Sequence, residues 1–392
     1  MAGCGLRERI RLLTVIPSLG GGGAERALVN LVRHLDRGRF QVQLAAFEAA
    51  GPFRQDVPAG VALHDMQGRR QYDLRMVVRL ARLLRLEQPD VVLSVMRYAN
   101  LVTFLAARLA RFPGPIIVNE QNNPGAEFGQ FGGRWLKGPA LQFVYPRVQK
   151  VTSISRGIAT ELAAQWGVPA EKIEVIPNPV DITRLRRLAQ CEPPHPWLTD
   201  GAVPVVMGVG RLHPQKDFGL LLRALRLVRD TQPARLIILG EGPQRALLER
   251  SAVQLGVAAD VLLPGFQENP FAWMTRADVF VLSSRYEGFG NVIVEAMALG
   301  RPVVATNCPF GPGEIIVDGG SGLLVPVGDE SALAQAICRV LNDSGLRKRL
   351  AEAGRERSED FASERIAARY EQLLVEVCDR RAHSHHNGRI PT

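Results

Sequence analysis

The stretch Val203-Pro-Val-Val-Met-Gly-Val-Gly-Arg-Leu-His-Pro-Gln-Lys-Asp217 decides how the chain is read. Its valine-rich run, Val203–Val209, breaks at Gly210 into a polar turn carrying Arg211 and Lys216. An apolar run without polar alternation suits a parallel strand covered on both faces. Open sheets of such strands bind ligands at the carboxyl ends, where Arg211 and Lys216 fall. The two cations stand five positions apart across the turn. They can converge on a diphosphate, one planar and forked, the other a mobile point charge.

Working outward, the same scheme recurs. The expected strands Arg235–Leu239, Val261–Leu263, Val279–Leu282, Val303–Ala305 and Leu323–Val325 follow in the second half. The first half offers Leu12–Ile16, Val42–Phe47, Val61–His64, Val91–Val95, Ile116–Asn119, Val151–Ile154 and Ile173–Ile176. Helix-length segments such as Ala24–Leu35 and Leu74–Leu86 lie between them. Strand–helix alternation in two series predicts an α/β protein of two Rossmann-like, doubly wound domains. Pro177-Asn-Pro-Val-Asp181 ends a strand and begins a linker, which divides the chain into 1–178 and 179–360. A second proline-rich connector is Cys191-Glu-Pro-Pro-His-Pro-Trp197. A last helix, about Ser363–Val377 within 361–379, has no strand behind it. The polar tail 380–392 is expected to be disordered, and its His383, His385 and His386 to be inert rather than metal-binding.

Two further loops follow strand ends in the second half. One is Gly240-Glu-Gly-Pro243; the other is Ser283-Ser-Arg-Tyr-Glu-Gly-Phe-Gly290, before a helix expected over Asn291–Leu299. Glu287 in that loop and Glu295 in that helix suit two sets of hydroxyls on a nucleotide-sugar, because one carboxylate can accept from a vicinal diol. In the first half, Gly20-Gly-Gly-Gly23 turns from strand to helix and leaves helix N–H groups facing outward. It satisfies neither G-x-G-x-x-G, whose last position is Glu25 or Arg26, nor the P-loop pattern. A nicotinamide oxidoreductase is therefore disfavoured, and a purely structural turn remains an alternative for this loop.

Composition bounds the rest. With 392 residues, 46% hydrophobic and 22% charged, the chain is globular, and no apolar run approaches the ~20 residues that span a bilayer. Cys4, Cys191, Cys308, Cys338 and Cys378 form no C-x-x-C pair, which fits a reducing cytoplasm. Arg7, Arg9 and Arg11 before Leu12–Leu19 mimic a signal peptide, but Pro17 and the glycines favour a first strand. The net charge of +9 lies wholly in residues 1–178, which carry 23 Lys and Arg against 14 Asp and Glu. Phosphates or an anionic leaflet suit that asymmetry. Nucleic acid fits less well, since aromatics are 6% of the chain and no nucleic-acid-binding signature appears. Arg75, Arg79, Arg82 and Arg85 recur along one amphipathic helix, and Phe131–Tyr145 interleaves aromatic and basic residues beside Arg147 and Lys150. Both predict peripheral contact with an anionic inner membrane face. The competing explanation is a solvated helix face in a chain with 43 Arg and 5 Lys.

With these motifs in place, the chain resembles the retaining family 4 glycosyltransferases of the GT-B fold. The resemblance rests on Gly208–Phe218, Leu239–Pro243, Glu287–Val304, Gly311-Pro-Gly-Glu-Ile-Ile316, Gly322-Leu-Leu-Val-Pro326 and Gly20–Arg26, in order over nearly the whole chain. It implies two domains facing across a cleft, a final helix crossing back to the N-terminal domain, and a nucleotide-sugar donor. By the same resemblance Arg211 and Lys216 hold the donor diphosphate, Glu295 the ribose and Glu287 the transferred sugar, so that Arg211, Lys216 and Glu287 serve catalysis. Gly21, Gly22, Gly23, Gly240, Gly242, Gly288, Phe289, Gly290 and Asn291 complete the donor contacts. Gly-Gly-Ala-Glu-Arg26 and Asn119-Glu-Gln-Asn-Asn-Pro124 are most similar to bacterial enzymes that build polyprenyl-linked or surface polysaccharides. The expected reaction moves a hexose or N-acetylhexosamine from a UDP-sugar to a lipid-linked saccharide, with retention and without metal or cofactor. Many relatives carry a histidine after the fifth strand; here the sequence offers only Glu120 or Asn122 for a polar acceptor contact. Alternatives on the same architecture are a UDP-sugar epimerase, a phosphorylase and an inactive nucleotide-sugar-binding subunit. A phosphorylase needs a cofactor lysine, for which only Lys216 and Lys348 are available in the second domain.

Overall fold

The computed structural model describes residues 9–68, 73–122, 141–192 and 195–386, with side chains up to Arg380. The chain forms two units, Met1–Pro179 with Ser363–Thr392, and Val180–Ala362. The divisions fall one or two residues after the expected 178 and 360. Val180 bridges Ala362 and its N–H donates to the Phe361 carbonyl at 2.9 Å, so both crossing points are tied into the second unit.

The first unit is a seven-stranded, all-parallel sheet in the order β3-β2-β1-β4-β5-β6-β7. The strands are β1 (Ile10–Ser18), β2 (Phe40–Glu48), β3 (Ala62–Asp65), β4 (Val91–Val95), β5 (Ile116–Glu120), β6 (Lys150–Ser153) and β7 (Ile173–Val175). Successive side chains of a strand point to opposite faces. Leu12 and Ile16 accordingly enter one core cluster, and Leu13 and Val15 another. The second cluster is roofed by the helix Arg75–Glu87, which buries Met76, Leu80, Ala81 and Leu84. The first is roofed by the helix Gly23–His34 and by Ser363–His386, whose Ile366, Tyr370, Leu373, Leu374 and Val377 recur at helical spacing. That final helix needs no strand because its apolar stripe completes a face of the first sheet.

The helix runs beyond residue 379, into what the sequence reading assigned to a disordered tail. Arg380 pairs with Glu376 one turn back at 2.7 Å, and no glycine or proline interrupts the pattern before Gly388. Residues 387–392, and Phe131–Ala140 of the aromatic and basic segment, lie outside the described residues.

The second unit is a six-stranded parallel sheet in the order β10-β9-β8-β11-β12-β13. Its strands are β8 (Val205–Val209), β9 (Arg235–Leu239), β10 (Val261–Gly265), β11 (Val279–Leu282), β12 (Val303–Thr306) and β13 (Leu323–Val325). Val206, Leu236, Ile238, Val279, Val281 and Val304 pack against Leu221, Leu225, Val228 and Ile337 from flanking helices. In each sheet the strand order reverses once, between β1 and β4 and between β8 and β11. Loops leaving the carboxyl ends of such a pair diverge to opposite faces and open a crevice for ligand.

Candidate active site

The crevice rule selects the loops after β8 and β11, which contain the residues singled out in the second half of the sequence. The β8 loop passes through a short 3-10 turn, Pro214–Lys216. It then enters the helix Phe218–Arg229, whose cap Asp217 has a left-handed φ of 43° and accepts from the Leu220 N–H at 3.2 Å. Lys216 folds back across this turn. A Cβ on Gly210 would stand 3.2 Å from its Cε.

From there Lys216 Nζ donates to Glu287 Oε1 at 2.5 Å, and Ser284 Oγ donates to the same oxygen at 2.6 Å. The pair is shielded, with side-chain exposures of 15% for Lys216 and 7% for Glu287. Four more bonds stitch the two loops together. Ser283 Oγ donates to the Lys216 carbonyl, Gln215 Nε2 to the Tyr286 carbonyl, the Arg285 N–H to the Gln215 carbonyl, and Arg285 Nε to Asp217 Oδ2, at 2.8, 3.0, 2.8 and 2.7 Å. Thr306 at the end of β12 donates to the Ser284 carbonyl at 2.5 Å. Buried Cys308 lies in the field of this pair. Burial, and then the Glu287 carboxylate, push its thiol up to about 12.

Arg211 is exposed, and among the described residues its side chain makes no hydrogen bond or ion pair. Gly240, at φ 136°, could not carry a side chain, since a Cβ would lie 2.0 Å from the Gly210 carbonyl oxygen. Gly242 is equally constrained by the Leu212 carbonyl at 2.4 Å. These glycines hold the β9 loop against Gly210–Leu212 and so set the backbone from which Arg211 projects. Gly290, at φ 102°, caps the helix Asn291–Ala298 without a side-chain hydrogen bond, and the first turn carries no acid. That leaves an electropositive helix end beside the loop containing Gly288. Glu295 is buried on the same helix, and the Phe289 ring is buried edge-on to Phe361 at 5.4 Å, which anchors the loop.

In the first unit the glycine loop is already occupied by the protein. Glu25 folds back so that a Cβ on Gly22 would stand 2.3 Å from its Oε2, and Ser18 Oγ donates to its Oε1 at 3.3 Å. Gly21 and Gly23 flank this contact. Glu120, expected to offer a polar acceptor contact, is buried to 1% at the end of β5. Arg97 pairs with it at 3.3 Å, Tyr145 Oη donates to it at 2.8 Å, and the Asn122 N–H donates at 3.2 Å. Burial, and then the Glu120 charge, raise the Tyr145 hydroxyl well above its ordinary value. Glu120 therefore holds the loop that carries exposed Asn122, instead of presenting a vacant carboxylate. Ser284, Gln215, Asp217, Glu25, Arg97 and Tyr145 escaped the sequence reading. Ser284, Gln215 and Asp217 had a local signal, their place in the strand-end loops, and Glu25 stands in the glycine-turn motif.

Two parallel α/β units, with a lysine–carboxylate pair and an arginine without a side-chain partner in the loops at the crevice of the second, fit the GT-B glycosyltransferase that the resemblance implies. Residues 21–184 match the family profile described as Glycosyltransferase Family 4, and residues 203–343 that described as Glycosyl transferases group 1. The chain is 30% identical to the lipopolysaccharide core biosynthesis glycosyltransferase LpsE of Rhizobium meliloti, over 90% of this chain and 96% of that protein. It is 27% identical, over 90% and 96%, to the N-acetylgalactosamine-N,N'-diacetylbacillosaminyl-diphospho-undecaprenol 4-alpha-N-acetylgalactosaminyltransferase of Campylobacter jejuni. The crystal structure of Anabaena HepE in complex with UDP and glucose superposes with a TM-score of 0.78 at 23% identity, covering 94% of this chain and 100% of that one. The chain belongs to glycosyltransferase family 4, and it is an enzyme of the hexosyltransferase kind.

Proposed function

We propose that this enzyme moves a hexose or N-acetylhexosamine from a UDP-sugar to a polyprenyl-diphosphate-linked saccharide or related glycan in bacterial polysaccharide synthesis, with retention at the anomeric carbon. The observation that carries this reading is the Lys216–Glu287 pair at the β8/β11 crevice, with exposed Arg211 in the same loop as Lys216. UDP and glucose in the HepE structure, and the lipid-linked acceptor in the name of the Campylobacter relative, support the choice of substrates.

In this reading Glu287 Oε2 and the Glu287–Gly290 backbone take sugar hydroxyls, while Glu295 takes the ribose. The anomeric C–O bond to the β-phosphate breaks as the acceptor oxygen attacks from the same face. The acceptor proton passes to the departing phosphate oxygen, and UDP leaves. Negative charge grows on that phosphate. Lys216 spends one of its three N–H donors on Glu287, so Arg211 and the Asn291 helix end supply much of the remaining stabilisation; each such preorganised contact is worth about 2.7–4 kcal/mol. With these cations the reaction needs no divalent ion, and a chelator leaves the rate unchanged. The Glu25 carboxylate makes the Gly21–Gly23 loop better suited to a sugar hydroxyl than to a second anion.

The enzyme works at the anionic inner face of the cytoplasmic membrane, bound peripherally; among the described residues no helix is long and apolar enough to cross one. Nucleotide release from a panel of UDP- and GDP-sugars, with and without a polyprenyl-diphosphate saccharide, tests the proposal. Acceptor-dependent UDP release that Lys216→Ala and Glu295→Ala abolish is the expected result. UDP binding without transfer to any acceptor would point to a binding subunit, and absence of nucleotide binding would overturn the assignment of the second unit.

A further inference from the structure

The excess positive charge of the first unit does not spread evenly over its surface. On the helix Arg75–Glu87, Arg75 lies 3.9 Å from the Asp73 carboxylate, Arg79 donates to the Met66 and Gln67 carbonyls, and Arg85 donates to the Leu109 carbonyl at 2.6 Å. Three of the four arginines on that face are thus engaged within the protein.

At the opposite end of the sheet from the glycine loop the situation differs. The helix Arg97–Ala110 leaves the carboxyl end of β4 and returns to the amino end of β5, where Ile116 lies about 13 Å from Glu120 at the rise of a strand. A recess of about 670 Å³ opens there, lined by Phe104, Ala107, Arg108, Arg111, Phe112, Ile116 and Arg147. Among the described residues no acidic side chain lines it. Among the described residues the side chains of Arg108 and Arg111 make no hydrogen bond or ion pair, and Arg147 uses one N–H on the Phe143 carbonyl while stacking over the Phe143 ring at 4.1 Å. Arg111 holds a left-handed φ of 53° at the helix end. Leu105, Leu109 and Phe143 stand exposed nearby, at 40%, 47% and 53%. A helix carboxyl end favours one nearby cation. It does not account for three in a recess with an aromatic wall and an apolar surround.

We propose that this recess seats the phosphate of an anionic phospholipid headgroup and fixes this edge of the first unit to the membrane surface, an inference that rests on the peripheral-membrane reading above. Guanidinium forks match phosphate oxygens in pairs. Leucine and phenylalanine beside them sit at the boundary between headgroups and acyl chains.

Flotation of the full-length protein with vesicles of phosphatidylcholine, with and without phosphatidylglycerol, tests this. Wild type is expected to bind only the anionic vesicles. Arg108→Gln/Arg111→Gln should weaken that binding about 30-fold, the worth of two basic residues at an anionic surface, with unchanged UDP binding and melting temperature. Arg82→Gln, on the neighbouring helix, should weaken it by about 5-fold at most. If wild type binds anionic vesicles and the double variant binds equally well, the recess is not the docking site although membrane association stands. If wild type binds neither vesicle, both readings fall. Arginine-dependent binding of inorganic phosphate without vesicle binding would overturn the lipid assignment in favour of a free phosphate ligand.

Discussion

Replacing Lys216 by alanine should damage this protein twice, and the two injuries can be separated. Glu287 is buried to 5%, and its Oε1 accepts from Lys216 and from Ser284. Removing the lysine leaves a buried carboxylate with only the serine, the situation in which breaking a buried pair costs about 3–5 kcal/mol. For a unit the size of Val180–Ala362 each kcal/mol moves the melting temperature by about 2–4 °C, so a drop of about 6–20 °C is expected. Lys216→Ala/Glu287→Gln removes the orphaned charge, and Ser284 can still donate to the amide oxygen. Part of the lost stability should return, through a coupling of about 0.5–3 kcal/mol. Activity should not return, because both groups are assigned contacts with the donor. Acceptor-dependent nucleotide release should stay at least ~10²-fold below wild type in both variants. Thermal melts and initial rates on wild type, both single variants and the double variant close the cycle. A double variant as unstable as Lys216→Ala would refute the pair as a stability element, and one with restored turnover would refute its contact with substrate.

Gly240→Ala forces a Cβ to within 2.0 Å of the Gly210 carbonyl oxygen at a φ of 136°, so it should cost about 2 kcal/mol or more in a urea melt and lower activity through Arg211; wild-type stability would contradict the packing described. Glu120→Ala removes the buried carboxylate that Arg97 and Tyr145 share at the end of β5 and should destabilise the protein by about 3 kcal/mol or more, while UDP affinity measured by calorimetry stays unchanged. Cys308 binds its proton up to about pH 12 in the folded state, whereas an unfolded thiol releases it near 8.5. Its contribution is therefore complete below the unfolded value and declines as pH rises toward the folded one, by about 1.4 kcal/mol per pH unit. Denaturant melts from pH 8 to about 10.5 should show wild type losing more stability than Cys308→Ala, and parallel losses would count against the burial. In the native protein at neutral pH, exposed Cys191 should react with a thiol reagent well before Cys308, as peptide mapping would reveal.

Much of the fold was legible because its signals are local. Each of the thirteen expected strands has a counterpart among the described residues, with ends shifted by a few residues. A parallel strand covered on both faces must be apolar throughout, and that property is written in consecutive residues such as Val91–Val95. The glycine turns and the amphipathic stripe of Ser363–His386 are local in the same way. The tail was misjudged at 380–386 because polarity alone does not stop a helix; a breaker does, and none stands before Gly388.

Whatever depends on residues far apart in the chain needed the tertiary structure. Arg211, Lys216, Glu287 and Glu295 were identifiable as chemistry-bearing residues, yet Lys216 and Glu287 are 71 positions apart and nothing local announces that they form a pair. The strand order, which puts β8 beside β11, brings them together. Glu120 looked available in the sequence because its partners, Arg97 and Tyr145, come from other elements that close over it. The arginines were visible as a lopsided charge, but which of them the protein spends on its own carbonyls and carboxylates could not be read from one dimension. Alone, the sequence determined which segments become strands and helices and which residues carry charge to strand ends, since backbone periodicity and side-chain polarity are properties of neighbours. Sheet order and burial decided which of those charges meet, which are neutralised and which stay available to a ligand, because burial and pairing arise only when distant segments pack.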